Sequence, residues 1–290
     1  MASLKETKTR IASVKSTLQI TSAMKMVSAS KLHHAQQAIG NMVPYQEKLH
    51  GILGDLLTKG KLPDSISNPM IAGNSSGRVA VVAFSSNSAL CGGYNSVAVK
   101  SLAVELQSLE KEGLSREDID IYAVGRKIAD AVRKWGLKLA GDYSHLVDKP
   151  NYEDAAAFAG ILAESYSNGQ TGRVILLYNH YKSNAAQPPQ KDTYLPLALN
   201  SESRRNDDDL IVEPDASTVL ESLIPKILLL KMYTVVLDSY AAEHAARTVA
   251  MQLASDNADE LLSSLTLEYN KRRQQAITNE LLDIVGGTLA

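Results

Sequence analysis

The sequence predicts an α/β protein in which a long antiparallel coiled coil, made by the amino- and carboxyl-terminal helices, accompanies a central α/β domain. Three observations predict it. Both ends of the chain lack helix breakers and repeat apolar residues every three or four positions, the spacing of one helix face. The middle alternates short β-branched runs with helical stretches, as a mostly parallel sheet with crossover helices does. The two helical ends are remote in sequence, so each needs the other's seam to bury its own.

The first helix comes first in the chain. Neither Gly nor Pro occurs from residue 2 to 39, and in a helix interior they cost roughly 1 and 3 kcal/mol. Stepping three and four from Leu4 passes Ile11, Val14, Leu18, Leu32, Ala35, Ile39, Met42, Leu49, Leu53 and Leu56, with 11 of 16 positions apolar. The register breaks at a polar gap, Thr21 to Ser28, where Met24, Met26 and Val27 sit off the seam. This segment, 1–58, is the amino-terminal coiled-coil helix. Its start is basic: Lys5, Lys8, Arg10, Lys15, Lys25 and Lys31 against Glu6 alone, a local balance of +5 within residues 1–34. It lacks the Arg-rich composition of a transit peptide, and no apolar run of the secretory kind follows.

Residues 78–212 form the α/β domain. The runs RVAVVAF (78–84), IDIYAVG (119–125) and RVILLYNHY (173–181) are strands, and 95–112, 126–135 and 152–168 are helices between them. That alternation is Rossmann-like. The loop SSNSALCGGYN (85–95) occupies the place of a phosphate-binding turn, yet it carries neither G-x-G-x-x-G nor G-x-x-x-x-G-K-[ST]. GNSSGR (73–78) precedes the strand and has no Lys. Gly92 and Gly93 are read instead as a tight strand-to-helix turn with Asn95 or Ser96 as cap. NSESRRNDDD (200–209) reads as a surface loop; Asp207, Asp208 and Asp209 lack the Gly turn and closing Glu of a cation loop. The six His residues show no ligand spacing, and Cys91 has no His nearby in sequence, so neither a metal nor a cofactor is expected.

The last segment, 213–290, is the second coiled-coil helix, with EPDAST (213–218) as lead-in and N-cap. Gly is absent between Gly172 and Gly286, and no Pro follows Pro225, which leaves 226–285 free of breakers. As one helix those residues span about 90 Å. The apolar register runs through Leu220, Leu223, Ile227, Leu230, Leu237, Ala241, Met251, Ala258, Leu265 and Tyr269. Pairing the two helices antiparallel, with the α/β domain at one end, gives a rod with a body at its base.

Composition closes off several function classes. Hydrophobic residues at 44% and charged ones at 21% fit a folded chain with a core. A mean hydropathy of -0.13 with no run of some 18 apolar residues argues against a membrane span. One cysteine cannot form an internal disulfide, and a net charge of -2 does not suit a nucleic-acid coat.

Three non-catalytic segments are the candidate functional residues. ITSAMKMVSASKL (20–32) sets small residues beside the flexible Met24 and Met26, which suits either a close helix contact or a loosely packed coiled-coil stretch. NKRRQQAITNE (270–280) puts Arg272, Arg273, Gln274 and Gln275 one turn before Thr278, a set of donors for carboxylates or carbonyls, although ordinary exposed helix faces also look like this. The tip that follows, Leu281, Leu282, Ile284 and Val285, is apolar with little chain left to cover it.

Two long segments carry a family resemblance: RIASVKSTLQITSAMKMVSASKL (10–32) at one end, and SYAAEHAARTVAMQLASDNADELL (239–262) with YNKRRQQAITNELLDIVGG (269–287) at the other. With the central ALCGGYN (89–95), they resemble the ATP synthase gamma subunit along nearly the whole chain. The resemblance implies a non-catalytic rotor. Its coiled coil would enter a hexameric head of alpha and beta subunits, and its α/β domain would sit with epsilon on the membrane c-ring. The protein would then be peripheral, at the cytoplasmic face of the bacterial inner membrane, with no insertion into the bilayer. It also implies beta-subunit contacts for Met24, Arg273, Gln274 and Thr278, and a bearing role for the tip. His33 and His34 replace a basic pair common in the family, Lys25 an acidic residue, and SNSA (86–89) the family's S-D-R-G, so contacts there are not carried over. The dithiol switch of plant-type relatives needs cysteines that this chain lacks. The competing readings are a coiled-coil tether unrelated to ATP synthesis and a nucleotide-binding enzyme that uses the ALCGGYN turn.

Overall fold

A computed structural model of the chain describes residues 4–59, 69–73, 77–197 and 212–288. In chain order the elements are α1 (Leu4–Lys59), α2 (Pro69–Ala72), β1 (Arg78–Phe84), α3 (Tyr94–Lys111), β2 (Ile119–Val124), α4 (Arg126–Lys134), β3 (Leu139–Asp142), α5 (His145–Asp148), α6 (Tyr152–Ser167), β4 (Thr171–Asn179), β5 (Pro189–Leu195) and α7 (Ala216–Thr288). They fall into two compact units, one of residues 1–29 with 247–290 and the other of 30–246.

The larger unit is built on a five-stranded sheet in the order β3-β2-β1-β4-β5. β1 pairs parallel with β2 and β4, β2 pairs parallel with β3, and β5 runs antiparallel along β4. The central strand is buried throughout after Arg78, which is why RVAVVAF is a continuous apolar run with no alternation. Val79, Val81 and Ala83 meet Leu102, Leu109, Ile128 and Val132 of α3 and α4 on one face. Ala80, Val82 and Phe84 face Phe158 and Leu162 of α6, in a core that also takes Leu49, Leu53 and Leu56 of α1 and Leu220, Ile224 and Ile227 of α7.

The three strands expected from the sequence, and the helices between them, appear within two residues of their expected ends. The structure adds β3 and β5 at the two edges of the sheet. LAGD is too short to show a period, and PQKDTYL is polar on its exposed positions, so neither stands out as a strand in sequence. The expected cap is corrected. The residue preceding α3 is Gly93, without a side-chain cap, and Asn95 and Ser96 lie inside the first turn. Asn95 fastens the loop instead: its Oδ1 accepts from the Ser86 amide at 3.1 Å and the Ser86 hydroxyl at 2.9 Å. Gly92, at φ +57, allows the turn that a side chain would resist. Asp215 does cap α7, accepting from the Thr218 amide at 2.9 Å.

Both long helices contain a proline, Pro44 in α1 and Pro225 in α7. Each is exposed, so the carbonyl deprived of its partner faces water. Around Pro225, Leu223, Ile224, Ile227 and Leu228 are 7% exposed or less. At about 1.5–3 kcal/mol each, their burial outweighs the roughly 3 kcal/mol cost of the proline. The loop 200–209, with Asp207, Asp208 and Asp209, and the middle of GNSSGR lie outside the described residues.

Candidate functional site

In the smaller unit, the register stepped from Leu4 is the face that α1 turns inward: Thr7, Thr21 and Ser28 are buried, and Leu4, Ile11, Val14, Leu18 and Lys25 are half-buried. The polar gap is a layer of interhelical hydrogen bonds. Thr21 Oγ1 lies 2.8 Å from Ser255 Oγ, Ser22 Oγ reaches the same hydroxyl at 3.4 Å, and Lys25 Nζ donates to Gln252 Oε1 at 2.7 Å. Because hydroxyls and an amide occupy the seam here, the apolar residues of the segment are turned outward. Ile20, Met26 and Val27 on α1, and Leu253 on α7, are between 57% and 67% exposed. Met24 itself is half-buried.

Further along α7 the seam continues through Leu265, Tyr269, Arg272 and Ala276, all buried or half-buried. Arg272 donates to Glu268 Oε1 one turn earlier, at 2.6 Å. At 100° per residue, Gln274, Ile277, Thr278, Leu281, Ile284 and Val285 lie off that seam, and Arg273 stands on its flank. All seven are exposed. Thr278 keeps its hydroxyl on its own helix, donating to the Gln274 carbonyl at 2.9 Å. From Ile277 to Val285 every residue whose side chain is described is exposed, whichever way it points. The structure thus joins Arg273, Gln274 and Thr278 to the tip residues in one outward, mixed polar and apolar face, and sets Arg272 apart from them. Met26 and Val27 are the residues that the register break between Thr21 and Ser28 sets off the seam; Ile20 and Leu253 carry no such signal in sequence.

The larger unit contains the crevice where doubly wound folds hold their ligands, at the carboxyl ends of neighbouring strands whose crossovers diverge, here β1 and β4. It is filled by α7. Ala242 and Ala246 pack on Cys91 and Tyr94 of the turn after β1. The Tyr94 hydroxyl donates to the Ser239 carbonyl at 3.1 Å and lies 2.7 Å from Ser239 Oγ. Asn179, at the end of β4, donates to the Tyr94 carbonyl. Next to it, Asp238 accepts from the Tyr181 amide at 2.9 Å and lies 2.6 Å from His180 Nδ1. Burial, and then the charge of Glu243, hold the Tyr94 phenol far above its ordinary pKa, so it stays a neutral donor. Cys91 is 1% exposed. The turn that could have cradled phosphate therefore holds a helix of the same chain.

The cleft of about 980 Å³ in this unit lies at the opposite end of the strands, lined by Arg78, Leu106, Arg116, Ile119, Trp135 and Leu139. Two of its arginines are already paired, Arg78 with Asp120 and Arg116 with Glu110. Among the described residues no group of three His, Cys, Asp or Glu could hold a metal ion, and no helix is long and apolar enough to cross a membrane.

A family model described as ATP synthase matches residues 3–290. The chain is 50% identical over 294 residues to the ATP synthase gamma chain of Phocaeicola vulgatus, and 51% over 296 residues to that of Bacteroides fragilis, in both cases covering 100% of each chain. It is 41% identical over 291 residues to the ATP synthase gamma chain of Flavobacterium johnsoniae, covering 100% of this chain and 99% of the relative. Among solved structures, a chain of the Euglena gracilis mitochondrial ATP synthase OSCP/F1/c-ring assembly superimposes with a TM-score of 0.63 at 20% identity, over 99% of this chain and 94% of that one. A chain of the Tetrahymena thermophila mitochondrial ATP synthase central stalk and c-ring gives 0.56 at 24% identity, over 81% and 99%. At those identities the likeness is one of fold.

Proposed function

The chain belongs to the family of ATP synthase gamma chains, and from that premise we propose that it is the non-catalytic central-stalk subunit, the rotor, of a proton-coupled ATP synthase. Beta subunits of identical sequence hold different nucleotide affinities only when something asymmetric touches each of them differently. A helix pair with unlike faces supplies that asymmetry, and turning it exchanges the states. Proton flow through the c-ring turns the rotor in synthesis, and ATP hydrolysis drives the reverse.

The observation that carries this reading to individual residues is the exposed outward face that holds Arg273, Gln274, Thr278, Leu281 and Ile284. Arg273, Gln274 and Thr278 offer a guanidinium, an amide and a hydroxyl to beta-subunit carboxylates and carbonyls. Met24 supports a softer contact on the other helix. Leu281, Leu282, Ile284 and Val285 seat the tip in an apolar bearing of the alpha and beta head. The α/β domain takes epsilon and the c-ring, and the protein works as a peripheral subunit at the cytoplasmic face of the bacterial inner membrane. The filled crevice in the larger unit speaks against the nucleotide-binding alternative.

Mixing the purified chain with the alpha and beta subunits and measuring the native mass tests this. One copy of the chain per alpha and beta hexamer is expected. A chain that stays free, or binds one beta subunit without the hexamer, contradicts the proposal.

A further inference from the structure

We propose that residues 238–246 of α7, together with the turn after β1 and the end of β4, form a collar through which torque passes between the sheet and α7. The proposal rests on the rotor reading above and goes beyond it by assigning that load to particular residues. Two stripes of alanine let the backbone of α7 come close on two sides. Ala241 and Ala245 pack against Leu32 and Ala35 of α1, and Ala242 and Ala246 pack against Cys91 and Tyr94. Tyr181 adjoins both sets, and its hydroxyl accepts from Gln36 of α1 at 2.7 Å.

Apolar contacts of this kind hold a helix in place but resist its twisting weakly, because they have no preferred direction. Hydrogen bonds have narrow angular limits and are stronger where water is excluded. The collar sets two hydrogen-bonded groups side by side on α7: Asp238, half-buried and held by His180 and the Tyr181 amide, and Ser239, buried and held by Tyr94. Their partners belong to the turn after β1 and to the residues just past β4, at the ends of the two central strands. Ser239, Tyr94 and Asn179 are 5% exposed or less. Along α7 the collar follows the bond from the Tyr194 hydroxyl of β5 to the Leu228 carbonyl and lies at the end of the larger unit, whose last residue on α7 is Ala246. In this reading Tyr94, Asp238 and Ser239 are positioning residues, and Gly92 and the alanines are the small residues that let them engage.

The test uses the assembled alpha, beta and gamma complex with its head fixed to a surface and a probe attached through Val104→Cys, an exposed site on α3, while the native Cys91 is buried. With ATP withheld, the angular variance of the probe reports the torsional stiffness of the path through the rotor. Asp238→Asn, and Tyr94→Phe combined with Ser239→Ala, are expected to raise that variance about twofold or more while the complex still assembles and turns. Glu110→Gln, on an exposed face of α3, is the control and is expected to leave it unchanged. Ser239→Ala alone, the mildest change, is expected to raise it measurably if the stronger variants do not assemble. Variance equal to that of the unsubstituted chain in every assembled variant overturns the collar and leaves the rotor reading intact. If the unsubstituted chain itself fails to assemble or to turn with ATP, the rotor reading falls, and the collar with it.

Discussion

Removing the polar layer of the helix pair, first from one side and then from both, should produce a non-additive change in local stability. Thr21 and Ser255 are 8% and 6% exposed, and their hydroxyls are 2.8 Å apart. Thr21→Val keeps the side-chain volume but leaves Ser255 Oγ with only the weak 3.4 Å contact to Ser22. A buried hydroxyl left in that state costs about 1–2 kcal/mol. Ser255→Ala costs less, about 0.5–1 kcal/mol, because Thr21 Oγ1 still donates to the Leu18 carbonyl at 3.1 Å. In the double variant neither side leaves an orphaned group, so the combined loss should fall short of the sum by about 1 kcal/mol. Native-state hydrogen exchange of the amides in residues 18–28 and 251–258, measured across a urea series, reads the opening free energy of this segment directly. It also avoids treating a two-unit chain as one cooperative transition. Strict additivity, within about 0.3 kcal/mol, would refute the claim that the gap is a hydrogen-bonded layer and would favour a loosely packed stretch.

Four further outcomes are expected. Arg273→Ala should lower ATP hydrolysis by the reconstituted complex at least about tenfold, since loss of a desolvated charge pair costs roughly 2–5 kcal/mol, while assembly falls less; Arg272→Ala breaks its bond to Glu268 on the same helix, worth about 0.3–0.5 kcal/mol, and should change turnover little. Equal, small effects from both on steady-state assays would remove the contact role of Arg273. The hydrogen bonds from Ser217 and Thr218 hold the Asp215 carboxyl down from the ordinary 3.8 to about 2, so its capping contribution is complete above about 3.8 and lost as pH falls through about 2; NMR of the 216–219 amides should show the first turn of α7 fraying only in that window, and Asp215→Ala should fray it at neutral pH. Gly125→Ala should destabilise the larger unit by more than about 2 kcal/mol, because φ is +123 and a Cβ would come 2.1 Å from the Ser85 carbonyl oxygen; a thermal melt like that of the unsubstituted chain would contradict this. The isolated chain should bind ATP negligibly in calorimetry, and a micromolar Kd would reopen the nucleotide-binding reading.

The sequence makes the buried parts of this molecule legible and the outward ones much less so. Every position stepped from Leu4 to Leu56 is buried or half-buried in the structure, polar members included, because a seam is set by geometry and applies to Thr21 as much as to Leu53. β1 could be read from composition because both of its faces are covered. β3 and β5 could not, since edge strands need not be apolar, and β5 is exposed at Gln190, Lys191 and Thr193. Neither proline ends its helix: Pro44 and Pro225 both face water, and at Pro225 the neighbours Leu223, Ile224, Ile227 and Leu228 are anchored in the core. In the candidate site, Arg272 and Arg273 are indistinguishable as residue types, and only the phase of the helix relative to the seam separates the paired one from the outward one. Met26 and Val27 are legible as off the seam from the register alone, whereas the exposure of Ile20 and Leu253 follows only once the Thr21 and Ser255 layer is known. The filling of the crevice by α7 depends on Asp238, Ser239 and Ala242 meeting the turn at Tyr94, some 145 positions away in sequence, and no local pattern announces such a meeting.

The central claim is that this chain turns inside a catalytic head. With the alpha and beta hexamer fixed to a surface and a probe attached at Val104→Cys, adding ATP should produce rotation in one direction, in three equal steps per turn, one for each beta subunit. A probe that shows only random angular fluctuation while the same complexes hydrolyse ATP at full rate would contradict it.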